Sequence, residues 1–116
     1  VMVSHLTYDA LDSSSPASLS PKIITGILRE QMGFKGLIIT DDTEMGALSK
    51  HYDFSEIGVR AVQAGVDIVM VCHEYEHETA VYNGLLKALQ SGELSTERVD
   101  ASVKRIVRAK LLHLMK

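Results

Sequence analysis

The chain has 116 residues, of which 46% are apolar and 23% charged, and its formal net charge at pH 7 is −3. This composition is typical of one small globular domain and excludes two domains of ordinary size. The mild negative charge argues against nucleic acid or a membrane surface as a partner, because both bind basic patches, and no apolar run approaches the length of a membrane span. The single cysteine, Cys72, can form no internal disulfide and leaves the redox compartment open.

Three short apolar runs, at residues 1–3, 36–40 and 66–72, predict β-strands. The second and third are almost continuously apolar and rich in β-branched residues, as expected for strands of a parallel sheet that is covered on both faces. A long loop is predicted over residues 6–19, and long loops in compact folds are often functional.

Four helices are predicted between and after these strands. The first follows the N-cap Ser20 and the proline at Pro21, which suits the first helical position. The second is predicted at residues 54–64 and the third at residues 79–90, and the last begins after the N-cap Ser95.

This order of elements indicates an α/β fold, in which right-handed βαβ units build a parallel sheet with flanking helices. Three strands are few for such a fold, because both edges of the sheet need partners. A complete (β/α)8 barrel takes about 250 residues. Val1 starts an apolar strand with neither a polar leader nor the features of a signal peptide. We therefore expect a fragment of a larger fold, or a piece that pairs with another chain.

The sequence CHEYEH at residues 72–77 contains the H-E-x-x-H motif of zinc proteases, formed by His73, Glu74 and His77. In those enzymes both histidines emerge from one face of a helix. Here the motif straddles the end of the third predicted strand and the polar segment that follows it. Charged residues of a loop are the simpler interpretation, so we predict neither a zinc protease nor a metal site.

Two adjacent acids, Asp41 and Asp42, follow the second predicted strand. Active groups of barrels and open α/β sheets lie at the carboxyl ends of strands. Adjacent buried carboxylates are costly unless they are paired, hydrogen-bonded or used. Neighbouring side chains at a strand end point in opposite directions, so one acid would face a site while the other holds the loop. The alternative is that both acids only cap the turn at residues 43–46.

The segment GFKGLIITDDTEMGA at residues 33–47 resembles the G-F-x-G-[VLI]-I-x-[ST]-D-D-x-x-M segment of glycoside hydrolase family 3, and is most similar to its β-N-acetylglucosaminidase branch. VMVSH at residues 1–5, PASLS at residues 16–20 and AVQAGVD at residues 61–67 also resemble motifs of that family. The resemblance covers nearly the whole chain in the right order.

What the resemblance implies is a TIM-type (β/α)8 barrel, of which residues 1–116 would be the last three βα units, a C-terminal fragment of the catalytic barrel. Asp41 matches the family nucleophile, which attacks the anomeric carbon and forms a covalent glycosyl-enzyme, so that configuration is retained. Asp42 stands where β-glucosidase members carry a tryptophan. This favours the N-acetylglucosaminidase branch, with a β-glucosidase-type member as the alternative, and Asp42 is expected to support the site structurally.

Around Asp41, the resemblance makes His5 and Met45 candidates for substrate binding. The alternatives are a histidine that is hydrogen-bonded to a neighbouring loop and a methionine that fills the core. Thr40 and Ser4 are candidates for positioning the nucleophile through hydrogen bonds.

The general acid/base histidine of this branch, on a loop with a K-H-F-P-G-H-G-like pattern, has no counterpart in this sequence. We therefore expect the parent enzyme to hydrolyse terminal β-linked N-acetylglucosamine, as in peptidoglycan recycling, and the chain alone to be inactive or nearly so. The chemistry needs only carboxylate, imidazole and water, so no cofactor is expected, and localisation stays open between cytoplasmic and exported. Another alternative is a non-catalytic βα module that self-associates through exposed strand edges and apolar helix faces.

Overall fold

A small parallel sheet lies at the centre of the computed structural model, which describes residues 1–115. Strand β1 (Met2–Val3) pairs in parallel with β2 (Ile39–Thr40), and one further parallel bridge joins Ile39 to Ile68. The three predicted strands therefore lie side by side and parallel, with β2 in the middle, although only two of them are regular. The predicted α/β class with a small parallel sheet is confirmed, whereas three complete βα units are not.

The segment 66–72 forms little regular strand because some of its backbone N–H groups donate to side-chain oxygens and not to backbone carbonyls of β2. The Met70 N–H donates to Thr40 Oγ1 at 3.0 Å, and the Cys72 N–H donates to the carboxylates of Asp42 and Glu44 at 3.3 and 2.9 Å. Acceptors on side chains satisfy these donors as a strand would, but they do not constitute a β-ladder.

Helices make up most of the remaining described structure. In chain order they are a 3₁₀ turn (Ala17–Leu19), a π-helix (Lys22–Gln31), α1 (Gly46–Ser49), α2 (Phe54–Ala64), α3 (Tyr75–Ser91) and α4 (Thr96–Leu114). The bounds predicted for α2 are confirmed, and Ser95 caps α4 by accepting the Arg98 N–H on Oγ at 3.1 Å. None of the helices within residues 1–115 has both the length and the apolar character that crossing a membrane requires.

Two helix predictions differ from the structure. The helix after Ser20 is wound as a π-helix, with the Met32 N–H donating to the Ile27 carbonyl five residues earlier at 2.9 Å. Helix α3 begins at Tyr75, four residues before the predicted Thr79. The segment just before this start is held by a carboxylate that is distant in sequence, that of Glu44, which is described with the site.

The core lies between the sheet and the helices, and α2 and α3 cross each other closely. The largest fully buried apolar side chains come from both layers: Ile24, Ile38, Leu48, Ile57 and Val66. Glycine at position 84 permits the crossing, because a Cβ on Gly84 would lie 2.2 Å from the carbonyl oxygen of Ser55.

Asp67 is a buried carboxylate at the amino end of the third predicted strand. Its side chain is fully shielded from solvent and forms ion pairs with Arg29 and Arg105. Oδ2 also accepts the Ile38 N–H at 3.0 Å, and Oδ1 accepts the Ser102 hydroxyl at 2.7 Å. One side chain thus joins the sheet to the π-helix and to α4.

Candidate active site

Asp41 directly follows β2 at the carboxyl edge of the sheet, where the sequence predicts the chemistry. Its N–H donates to the Val3 carbonyl at 3.0 Å, which fixes its backbone against β1. Its Oδ1 accepts the Asp42 N–H at 2.8 Å, and within residues 1–115 no hydrogen bond or ion pair involves Oδ2. The half-buried carboxylate is therefore oriented through one oxygen, and the other is free for a ligand.

Asp42 is buried, and both of its carboxylate oxygens have partners within the chain. Its Oδ1 accepts the N–H groups of Glu44 and Cys72 at 3.1 and 3.3 Å, and its Oδ2 lies 3.3 Å from His73 Nε2. These contacts hold the surrounding loops together, and a supporting role for Asp42 in the site stays a prediction.

His5 is buried, and both of its ring nitrogens are occupied. Nε2 donates to the Asp42 carbonyl at 2.8 Å, since a carbonyl oxygen can only accept, and Nδ1 lies 2.7 Å from Ser18 Oγ. The geometry favours the alternative of a histidine that holds neighbouring loops together. Direct contact between His5 and a substrate stays a prediction.

Thr40 and Met45 lie in contrasting environments, one fully buried and the other exposed. The fully buried Thr40 places Oγ1 on the Met70 N–H at 3.0 Å, so its hydroxyl supports the neighbouring segment and not the Asp41 carboxylate. Met45 is 46% exposed just before α1, which rules out a role as core filler and leaves its side chain available at the rim. Ser4 likewise contacts a loop: its carbonyl accepts the Ser18 N–H at 3.2 Å.

Glu44 is a feature of the site that the sequence patterns do not reveal. Its Oε1 accepts the N–H groups of Cys72 and His73 at 2.9 and 2.6 Å, and its Oε2 accepts the Glu74 N–H at 2.9 Å and lies 2.8 Å from His77 Nδ1. Burial acts to raise the pKa of Glu44, but the hydrogen bonds from His77 and the three backbone groups outweigh it and lower the pKa to about 2. Glu44 thus ties the segment just before α3, and through His77 the first turn of α3, to the loop after β2.

The H-E-x-x-H motif does not present two histidines from one helical face. His73 precedes α3, which starts at Tyr75, whereas His77 lies in its first turn. Each imidazole faces a different carboxylate, His73 that of Asp42 and His77 that of Glu44. Among the described residues, no three histidine, cysteine, aspartate or glutamate side chains converge as a metal-binding set. This arrangement differs from the helical metal site of a zinc protease.

Three cavities lie away from Asp41, which lines none of them. One of about 280 Å³ lies between α3 and α4, and one of about 390 Å³ lies between α2 and α3. A third, of about 580 Å³, separates the segment 34–37 from the last half of α4. Asp41 itself follows the middle strand of the sheet and is half-buried.

Comparison with known proteins gives a consistent result. A family model described as the glycosyl hydrolase family 3 N-terminal domain matches residues 1–109. The β-hexosaminidase LpqI of Mycobacterium tuberculosis is 40% identical over 116 residues, which cover 95% of this chain and 29% of the relative. An uncharacterized secreted glycosyl hydrolase of Arthroderma benhamiae is 39% identical over 107 residues, which cover 91% of this chain and 30% of the relative.

Solved structures agree with these relatives. A family 3 β-N-acetylglucosaminidase from Paenibacillus sp. FPU-7 superposes with a TM-score of 0.93 at 42% identity, covering 95% of this chain and 21% of that chain. The β-N-acetylglucosaminidase from Thermotoga maritima gives a TM-score of 0.86 at 36% identity, and the match covers 93% of this chain and 24% of that chain. The chain spans about three tenths of the length of the curated relatives it matches.

Proposed function

The chain belongs to glycosyl hydrolase family 3, and on this premise we propose that Asp41 is the nucleophile of a retaining β-N-acetylglucosaminidase. The placement of Asp41 carries the proposal. It lies at the carboxyl edge of the parallel sheet, in the position of the family motif, with one carboxylate oxygen held and the other free. The names of the relatives support N-acetylglucosamine as the sugar.

The proposed mechanism uses the two oxygens of Asp41 differently. The Asp42 N–H holds Oδ1 and so fixes the plane of the carboxylate, which leaves Oδ2 to attack the anomeric carbon. The glycosidic bond breaks as the new C–O bond forms, and the leaving oxygen takes a proton from an acid outside these residues. Water then displaces Asp41 from the glycosyl-enzyme. Two inversions at one carbon retain the configuration.

The environment of Asp42 supports the N-acetylglucosaminidase branch over the β-glucosidase alternative. β-Glucosidase members of the family carry a tryptophan at this position, which cannot accept the N–H groups that Asp42 accepts from Glu44 and Cys72. Met45, exposed at the rim, is our candidate for contact with the sugar. His5 would act through the Asp42 carbonyl, and any direct contact it makes would need one of its present bonds to break.

We further propose that the chain corresponds to the last three βα units of a TIM-type barrel and hydrolyses glycosides poorly by itself. Two observations support this. The sequence has no segment resembling the acid/base loop of the family. Asp41, at the carboxyl end of the middle strand, lines none of the three cavities described above. Without a general acid, an unactivated leaving group would have to depart unprotonated.

The test is a chimera in which this chain replaces the matching segment of the Paenibacillus β-N-acetylglucosaminidase. Hydrolysis of an N-acetyl-β-glucosaminide with an unactivated sugar alcohol as leaving group should be fast in the chimera and nearly absent in the chain alone. Asp41→Asn should abolish turnover, and circular dichroism should show that this variant stays folded. A folded Asp41→Asn chimera that retains full activity would refute the role of Asp41, and turnover by the chain alone at the chimera's rate would refute its dependence on other segments.

Self-association of the isolated chain is a second proposal, supported by a specific set of side chains. The outer face of α4 leaves Val103, Val107 and Leu111 about half exposed, and Met2 in strand β1 is equally exposed. Exposed apolar surface and short strand edges of this kind favour pairing between copies.

A further inference from the structure

We propose that Glu44 is a positioning residue that fixes the loop carrying Asp41 against the amino end of α3. This inference rests on the proposed role of Asp41 as nucleophile. Glu44 itself would touch no sugar, because both of its oxygens are occupied within the chain.

The attachment lies immediately after Asp41 and is continuous along the chain. At Thr43, both the N–H and the hydroxyl donate to the Met70 carbonyl, at 3.0 and 2.7 Å. At Glu44, one carboxylate accepts three successive backbone N–H groups, those of residues 72–74. The loop is therefore held on a segment about 30 residues away in sequence.

A short chain of hydrogen bonds connects this attachment to the nucleophile. The Cys72 N–H is shared between Glu44 Oε1 and Asp42 Oδ1, and the Glu44 N–H donates back to the same oxygen of Asp42. The Asp42 N–H in turn orients the Asp41 carboxylate. Moving the Glu44 side chain would release Cys72 and shift Asp42, so the orientation of Asp41 would change without any change in Asp41 itself.

Charge makes this attachment strong. The carboxylate lies at the positive end of a 17-residue helix and accepts charge-assisted hydrogen bonds from backbone donors and from His77. Because the pKa of Glu44 is about 2, the side chain is ionised throughout the neutral range. A carboxamide of the same size has one oxygen in place of two acceptors, so it can keep only part of the set.

The first test reads the attachment in the 116-residue chain without any activity. Backbone hydrogen exchange at residues 72–74 should accelerate about tenfold or more in Glu44→Ala, and by less in Glu44→Gln. Asp12→Asn is the matched control: Asp12 also binds its own loop, through Ser14 and Ser20, and its pKa is likewise lowered to about 2. Asp12→Asn should leave exchange at residues 72–74 unchanged. Unaltered exchange in Glu44→Ala would overturn the inference.

The second test measures kcat and KM in the chimera. We expect kcat to fall by a factor on the order of 10 to 100 in Glu44→Ala, with KM little changed, since a misplacement of about 1 Å costs up to about 100-fold. Glu44→Gln should rescue part of that loss. If Asp41→Asn abolishes turnover while Glu44→Ala leaves kcat per folded molecule intact, the positioning role of Glu44 is refuted and the proposed role of Asp41 stands. If Asp41→Asn remains active, the proposed role of Asp41 is itself refuted.

Discussion

Replacing Asp67 by asparagine should destabilise the chain more than any other single change of equal size. Asp67→Asn keeps the shape of the side chain but removes its charge, and it leaves Arg29 and Arg105 without their buried counter-ion. It also replaces one acceptor oxygen by an NH₂ group, which can accept neither the Ile38 N–H nor the arginine donor that Oδ2 accepts.

The magnitude follows from the burial of the three partners. The Asp67 side chain is fully shielded, whereas those of Arg29 and Arg105 are 12% and 32% exposed. Removing one partner of a buried ion pair costs about 3 to 5 kcal/mol. We expect the lower part of that range, about 3 kcal/mol, because Arg105 can turn toward water. For a domain of this size that lowers Tm by roughly 10 to 20 °C.

Urea unfolding followed by far-ultraviolet circular dichroism measures this free energy directly. Asp100→Asn makes the same chemical change at an exposed position of α4 and should alter the free energy of unfolding by less than about 0.5 kcal/mol. If Asp67→Asn were as stable as Asp100→Asn, Asp67 would not join the sheet to the helices in the way described.

Three further predictions concern packing, pH and association. Gly84→Ala gains about 1 kcal/mol in helix propensity, but its methyl group forces α2 and α3 apart at Ser55. Urea unfolding should therefore show a net loss of about 1 to 2 kcal/mol in the free energy of unfolding. An unchanged urea midpoint would contradict the close crossing of the two helices. The pKa of Glu44 is lowered from 4.5 to about 2, so its contribution to stability is present above pH 4.5 and is lost as the pH falls toward 2. Glu44→Gln should therefore flatten the acid limb of the stability profile, and an identical limb in both proteins would exclude this contribution. Light scattering should show that the apparent mass of the chain rises with its concentration, and Leu111→Lys should reduce this increase. A monomer at high concentration would rule out self-association.

The helices were predictable because their signals are local. Glycine at position 65 stops α2, and Ser95 caps α4, and both signals are read within one turn of the helix. The position of Asp41 after a buried strand was equally accessible, since an acid there follows from the alternation of strands and helices.

The roles of Glu44 and Asp67 depend on contacts that no local pattern contains. Glu44 accepts N–H groups that lie 28 to 30 residues later, just before α3, and the side chain of the N-cap residue, Glu74, makes no capping bond. An acid inside the apolar run 66–72 does indicate that Asp67 needs buried partners. Which of the basic residues would serve could not be inferred, because Arg29 and Arg105 are each 38 residues away.

The contacts of Glu44 make the amino end of α3 dependent on tertiary structure. The N–H groups of the segment just before α3 and the imidazole of His77 in its first turn meet a carboxylate from the loop after β2, so these contacts form only when a loop of about 30 residues has closed. A peptide spanning residues 72–91 lacks that carboxylate and should be much less helical in isolation than the same residues are in the chain. Folding of the loop that carries Asp41 and of α3 would then be a single cooperative event.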